Sequence, residues 1–286
     1  MRKFRLKSIL LFIQVNLKAF LFSLILLASS GLKAQLLIGP EAGMNYSWST
    51  FGDKDLNSRY SVRPVPGYSV GGHVGFRVRK RFFLHISMLY STKGRIIEGK
   101  NENLRDQLKL NYIDMPIIYT VDFKGKIGHN KEFKYNIGVG PVVSYWLGGK
   151  GVIENDDTNE FNTPESGDPV HYKIVFRKTH DETKPREMSI QSFNRIQLGL
   201  ALTASIIFEP ITHRHIMLTM RYELGGSYLS RTDNGNFNRY LMPGDFPYQE
   251  PLATRNKGLR LTLAYLLDTR IDQRKRGKST YDRRRK

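Results

Sequence analysis

The segment LLIGPEAGMNYSW, residues 36–48, alternates throughout. Leu36, Ile38, Pro40, Ala42, Met44, Tyr46 and Trp48 fall on one side, and Gly39, Glu41, Gly43, Asn45 and Ser47 on the other. A period of two is that of a β-strand, whose successive side chains point to opposite faces. One face here is apolar and the other small or polar.

The same division recurs in seven further segments. Tyr68, Val70, Gly72, Val74, Phe76 and Val78 oppose Ser69, Gly71, His73, Gly75, Arg77 and Arg79; Phe82, Leu84, Ile86, Met88 and Tyr90 oppose Phe83, His85, Ser87, Leu89 and Ser91. Ile113, Met115, Ile117, Tyr119, Val121 and Phe123 form the apolar face of a fourth, with Asp114 opposite, and Phe133 to Tyr145 that of a fifth, with Asn136, Gly138, Gly140 and Ser144 opposite. The remaining three begin at Ile196, Ile216 and Leu259, with Arg195, then Arg221 and Glu223, then Arg260 on their polar faces.

Antiparallel sandwiches in water also alternate, so further features must select the fold. The alternations run for roughly 9–13 residues, which suits strands tilted across a bilayer and exceeds the usual soluble strand. The connections alternate in length: 49–67, 92–108, 147–188 and 229–257 are long, whereas 80–81, 125–131 and 210–214 are tight. Tyr46, Trp48, Tyr68, Tyr90, Tyr145 and Tyr228 cluster toward the long connections, and Phe76, Phe82, Phe123, Phe133 and Phe208 toward the short ones. Two aromatic girdles are expected where strands leave a membrane.

These features predict an all-β fold: an eight-stranded antiparallel transmembrane β-barrel with short periplasmic turns and four long extracellular loops. An even strand number closes the sheet, leaves no unpaired edge in lipid and puts both termini in the periplasm. At eight strands the lumen is just wide enough to be filled by side chains. A plugged barrel is therefore expected, not a wide pore.

The ends have their own character. Arg2, Lys3, Arg5 and Lys7 precede apolar segments at 9–15 and 19–28, then Ser29, Ser30, Gly31 and Ala34. This is the pattern of a secretory signal peptide over 1–34, with the mature chain starting at Gln35; an uncleaved anchor helix is the rival reading. The net charge of +19 invites a nucleic-acid reading, but +13 of it lies in residues 1–34 and 270–286. The intervening 35–269 carries an ordinary balance, with no basic–aromatic alternation suited to bases, so no nucleic-acid partner is expected. The tail 270–286, with Arg274, Lys275, Arg276, Arg283, Arg284 and Arg285, could bind an acidic periplasmic partner or lipid phosphates, or simply be a charged end.

Cysteine is absent, which excludes disulfides, cysteine-ligated metals, a thiol nucleophile and an N-terminal lipidated cysteine. No nucleophile elbow, phosphate loop or dinucleotide fingerprint occurs, and no cofactor or metal is expected. The inward-facing ionisable residues are Glu41, His73, Arg77, His85, Asp114, Arg195, Arg221, Glu223 and Arg260. They could serve acid–base chemistry, with His73, His85 and Asp114 the best candidates, or form an interior salt-bridge network. The network is favoured because unpaired charge inside a plugged barrel is costly. His213-Arg214-His215 resembles a metal pair, but exposed turn residues are the expectation there; Glu154-Asn155-Asp156-Asp157 could meet calcium at the surface or be a solvated loop.

Gly39-x-x-x-Gly43-Met44-Asn45-Tyr46-Ser47 and Tyr112-Ile113-Asp114-Met115-Pro116-Ile117-Ile118-Tyr119 resemble the first strand and the Tyr-x-acid-x-Pro strand of the Bacteroidota outer-membrane β-barrel family that includes the PorT-like proteins. The resemblance covers residues 36–269. It implies an outer-membrane barrel, and because some PorT-like members are associated with type IX secretion or gliding, it makes those candidate roles. Two function classes follow: a non-catalytic barrel that anchors or assists an envelope complex, and a barrel enzyme acting on lipid or peptide at the cell surface. The first is preferred, since no acid, base and nucleophile set stands near the extracellular rim. Outer-membrane lipid and lipopolysaccharide, with periplasmic or outer-membrane proteins, are the expected partners.

Overall fold

The computed structural model of the chain describes residues 35–100, 104–127, 131–154, 169–176, 184, 186–211, 213–230, 236–237 and 251–270. Residues 1–34, expected to be a signal peptide, residues 155–157 of the stretch Glu154-Asn155-Asp156-Asp157, and the tail beyond Arg270 lie outside the described residues.

Eight long strands form a ring: β1 (Gln35–Phe51), β2 (Tyr60–Arg79), β3 (Phe82–Gly99), β4 (Arg105–Ile127), β5 (Lys131–Glu154), β8 (Ile196–Ile211), β9 (Arg214–Gly225) and β11 (Thr254–Arg270). Each pairs antiparallel with the next in that order from β1 to β11, and β11 returns to hydrogen-bond with β1. The Gly39-x-x-x-Gly43 motif lies on this closing seam. A Cβ at Gly39 would collide with the carbonyl oxygen of Tyr265 and one at Gly43 with that of Leu261, so the two glycines let β1 approach the β11 backbone.

Alternation sets the two surfaces of the wall. Ile38, Val70, Met88, Tyr119, Ile137, Leu200, Met220 and Leu263, one from each ring strand, are exposed on the outside, and Met44 is 77% exposed. Soluble monomers rarely leave an apolar surface of that extent in water, so this belt is the part that faces lipid. Aromatic pairs mark its turn end, where Phe82 stacks on Tyr119 and Phe123 on Tyr135 at ring separations of 5.6 and 5.2 Å. Tyr68 and Tyr90, 6.2 Å apart, mark the loop end.

The strands do not stop at the membrane, which corrects the expected loop boundaries. β2, β3, β4 and β5 continue into stretches read from the sequence as loops, so β3 and β4 are joined through only 100–104. The reason is chemical. On β4 the outward positions change from Ile113 to Asn111, Lys109, Gln107 and Arg105, while the inward positions change from Asp114 to Tyr112, Leu110 and Leu108. The period stays two, but the apolar face moves from outside to inside, as suits a strand leaving lipid for water. On β5 the bulge that sets Asn111 opposite Gly148 but Tyr112 opposite Trp146 inserts Leu147 and shifts the parity.

Above the membrane β5 leaves β8 and pairs with β6 (Val170–Phe176), which runs parallel to β7 (Glu187–Ile190); β7 pairs with the short β10 (Asn236–Phe237). Inward side chains of this extension build an apolar core from Leu108, Leu110, Tyr112, Trp146, Ile153, Tyr172, Ile174, Met188 and Ile190, joined by Leu229 and Leu252. Phe176 meets the Trp146 ring edge-on at 5.0 Å. At the opposite end a second apolar layer, Leu37, Phe83, Ile207, Met217, Ala264 and Leu266, fills the lumen near the turns.

Candidate functional site: the charged layer of the lumen

Between these apolar layers lies a layer of charge, placed by inward positions on six strands. Glu41 (β1), His73 (β2), His85 (β3), Asp114 (β4), Arg221 and Glu223 (β9) and Arg260 (β11) are all buried. They separate into two groups. Glu41 Oε2 accepts from Ser87 Oγ at 2.6 Å and lies 3.0 Å from His73 Nδ1, and His73 Nε2 lies 2.9 Å from His85 Nδ1. Of the facing His73 Nε2 and His85 Nδ1, one must donate to the other, while His73 Nδ1–H donates to Glu41. Arg221 Nη2 stands 3.6 Å from the other Glu41 oxygen.

The second group centres on Asp114. Its carboxylate accepts from Ser91 and Ser144 hydroxyls, each at 2.5 Å, from Lys93 Nζ at 2.9 Å and from Arg260 Nη2 at 2.5 Å. Glu223 bridges the same two cations, 3.1 Å from Lys93 Nζ and 3.3 Å from Arg260 Nη2. Arg260 and Arg221 are directly opposed across β11 and β9. Like charges in that position repel; Glu41, Asp114 and Glu223 offset them. Across the layer Lys93, Arg221 and Arg260 face three carboxylates, Glu41, Asp114 and Glu223.

Several sequence expectations change. Asp114 does not join His73 and His85, because β4 brings it toward Lys93 and Arg260 instead. Arg77 is exposed at the turn end, with its guanidinium 5.3 Å from the Phe83 ring, so it is not in the lumen. Arg195 precedes the first residue of β8 and escapes the alternation; it lies over Phe176 at 4.6 Å and donates to the Tyr145 hydroxyl at 3.0 Å. His215 is no exposed turn residue: the second position of β9 turns it inward, 3.7 Å from Asp268, whereas His213 is exposed with φ of 67°. Among the described residues no group of three or more His, Asp or Glu could hold a metal.

Lys93 and the serines 87, 91 and 144 are missing from the ionisable set that the sequence points to. The serines stood on the polar faces but carry no charge. Lys93 lay in a presumed loop, although continuing the parity of His85, Ser87, Leu89 and Ser91 places it inward. The carboxylates are held by neighbouring cations, but Arg221 Nε and Nη1, Arg260 Nε and Nη1 and His85 Nε2 are buried without a hydrogen-bond partner. The space beside Lys93, Ser144, Glu223 and Arg260 is about 30 Å³, room for one or two waters and no substrate.

The sequence matches the family model of the outer membrane protein beta-barrel domain over residues 28–226. Among solved structures, Neisserial surface protein A is similar at 9% identity, with 82% of this chain and 99% of that one covered and a TM-score of 0.37. OprG from Pseudomonas aeruginosa is similar at 10% identity, 82% and 93% coverage and a TM-score of 0.39. Ail of Yersinia pestis, in complex with the heparin analogue sucrose octasulfate, is similar at 12% identity, 82% and 99% coverage and a TM-score of 0.31. A comparison with curated proteins finds no match. With the family model spanning most of an eight-stranded barrel wrapped in an apolar belt, the chain belongs to the family of outer membrane protein β-barrel domains.

Proposed function

We propose that this outer-membrane barrel is non-catalytic and anchors or assists an envelope complex. The observation that carries the reading is the filled lumen: a charge-balanced layer closed by apolar side chains above and below. The space beside this layer admits a water or two but no substrate, so in this reading His73, His85 and Asp114 act as structure. Function then falls to surfaces outside the lipid. In this reading residues 1–34 direct export and are removed, the loop end faces outward, both termini are periplasmic, and the tail containing Arg274, Lys275, Arg276, Arg283, Arg284 and Arg285 meets a protein partner. The resemblance to PorT-like proteins makes type IX secretion or gliding the first complex to test.

Affinity purification from native membranes of the full chain and of a chain ending at Thr269 tests it. Defined envelope proteins should co-purify with the full chain, and loss of those proteins on truncation would assign their capture to the tail. An absence of specific partners for either form would count against an anchoring role. Alanine at His73, His85 or Asp114 that abolished an envelope phenotype while leaving an inserted, heat-resistant barrel would favour an enzyme acting on lipid or peptide.

A further inference from the structure

The outer face of the extramembrane sheet carries a feature that folding does not require. Lys109 on β4 is directly opposite Lys150 on β5, and Lys150 is directly opposite Lys173 on β6. All three are exposed. Directly opposed residues on adjacent strands hold their Cβ atoms about 5 Å apart, where like charges destabilise the pairing. Two of the nearby acids are committed elsewhere. Glu98 pairs with Arg63 at 2.8 Å and Glu154 faces Arg105 at 3.5 Å. Glu187, directly opposite Lys173 on β7, offsets part of the Lys173 charge while its Oε2 accepts the backbone N–H of Lys184, and no acid stands opposite Lys109 or Lys150 in the register. Among the described residues none of the three ammonium groups has an ion-pair partner.

The row overlooks a cavity of about 810 Å³ on the outside of the wall, bordered by all three lysines and, on its membrane side, by Tyr90 and the 40%-exposed Leu147. Its height is set by β4. Lys109 lies four residues beyond the lipid-facing Ile113, which at about 3.3 Å per residue and a tilt near 40° is roughly 10 Å along the membrane normal. Lysine side chains that length from the apolar belt can snorkel into the headgroup layer, which occupies roughly 5–8 Å on each side of a bilayer.

We propose that Lys109, Lys150 and Lys173 form a binding site for the phosphate groups of a phosphorylated glycolipid in the outer leaflet. A multivalent anion neutralises the lysine row, and the apolar floor at Tyr90 and Leu147 continues into the belt along which acyl chains lie. That continuity favours an amphiphile over a soluble anion. The assignment rests on the proposed outward orientation of the loop end, but the binding chemistry can be measured independently of it.

The mature full-length protein and its K109Q/K150Q/K173Q variant are placed in phosphatidylcholine nanodiscs. These contain bisphosphorylated lipid A, dephosphorylated lipid A or neither, with lipid in both leaflets so that orientation drops out. Native mass spectrometry should show the parent protein retaining the phosphorylated lipid about tenfold over the dephosphorylated one, and the variant losing that preference. In phosphatidylcholine alone the variant should unfold at an equal or higher urea concentration, since removing like charges relieves strain; this shows that it folds. Equal retention of both lipids by the parent protein, or undiminished retention by the variant, overturns the proposal. So does the same loss in an R79Q/K80Q/R81Q control at the turn end. Inorganic pyrophosphate that raises the urea midpoint in phosphatidylcholine as far as lipid A does would assign the row to a soluble anion and overturn the lipid site. Orientation is checked separately by labelling Lys150→Cys on intact cells with a membrane-impermeant maleimide, since the protein has no other cysteine.

Discussion

Arg260 Nη2 stands 2.5 Å from Asp114 Oδ2, although 146 positions separate the two residues in the chain. They sit on β11 and β4, on opposite sides of the ring, so this contact reaches across the lumen instead of along the wall. A charge-assisted hydrogen bond in that position ties the barrel's diameter to a fixed value.

Removing one partner of the pair should cost far more than the pair itself contributes. Asp114→Asn leaves Lys93 and Arg260 sharing Glu223 alone, and an uncompensated buried charge costs about 3–5 kcal/mol. Urea unfolding in phospholipid vesicles measures it. Adding Arg260→Met restores the balance, so the double variant should lose less than the sum of the singles, by about 0.5–3 kcal/mol.

The seam between β1 and β11 should tolerate no side chain at Gly39, where a Cβ meets the Tyr265 carbonyl oxygen. Gly39→Val is expected to cost about 1–3 kcal/mol or to prevent closure, as overpacking does. The folded barrel runs as a heat-modifiable band on gels, and that band should weaken. Ala42→Val, on the exposed face of the same strand, should leave it unchanged.

The lipid belt predicts a depth-dependent penalty. Leu263, at the middle of the outward row on β11, should cost about 2–4 kcal/mol when replaced by Arg, whereas Leu267→Arg, nearer the turn end, should cost about 0–1 kcal/mol. Equal penalties would mean that Leu263 does not sit at the centre of the membrane.

A lumen closed by two apolar layers should not conduct. Reconstituted protein is expected to leave a planar bilayer at its baseline current, and reproducible conductance steps would contradict the filled interior.

Within the membrane the architecture was legible because each ring strand obeys one rule. From Ile113 to Phe123 every outward position faces lipid and every inward position faces the lumen, so an apolar–polar period of two survives in the one-dimensional string. The rule fails at Asn111, where the environment outside changes from lipid to water. Reading outward polarity as the end of a strand then turns β3 and β4 into a loop and hides Lys93 inside it. The bulge at Leu147 left no sequence signal, because Gly148 and Gly149 read equally well as a turn. Seven titratable residues of the lumen are recognisable by parity, but their pairing is not. Which carboxylate meets which cation depends on distances across the ring, and strand order alone does not give those. Parity alone therefore groups Asp114 with histidines it does not touch and places Arg195, one residue before its strand, in an interior it does not enter.

The division of β5 between two partners has a mechanical consequence. Its first half is wall, paired with β8, and its second half is the root of the outer sheet, paired with β6. At 24 residues it is one beam, about 80 Å long if fully extended, with no loop along its length. A partner that pulls on β6 or β7 therefore pulls directly on the membrane-embedded cylinder. Force arriving there is carried as shear along the β5 hydrogen bonds, and the barrel acts as a fixed post instead of a tethered float.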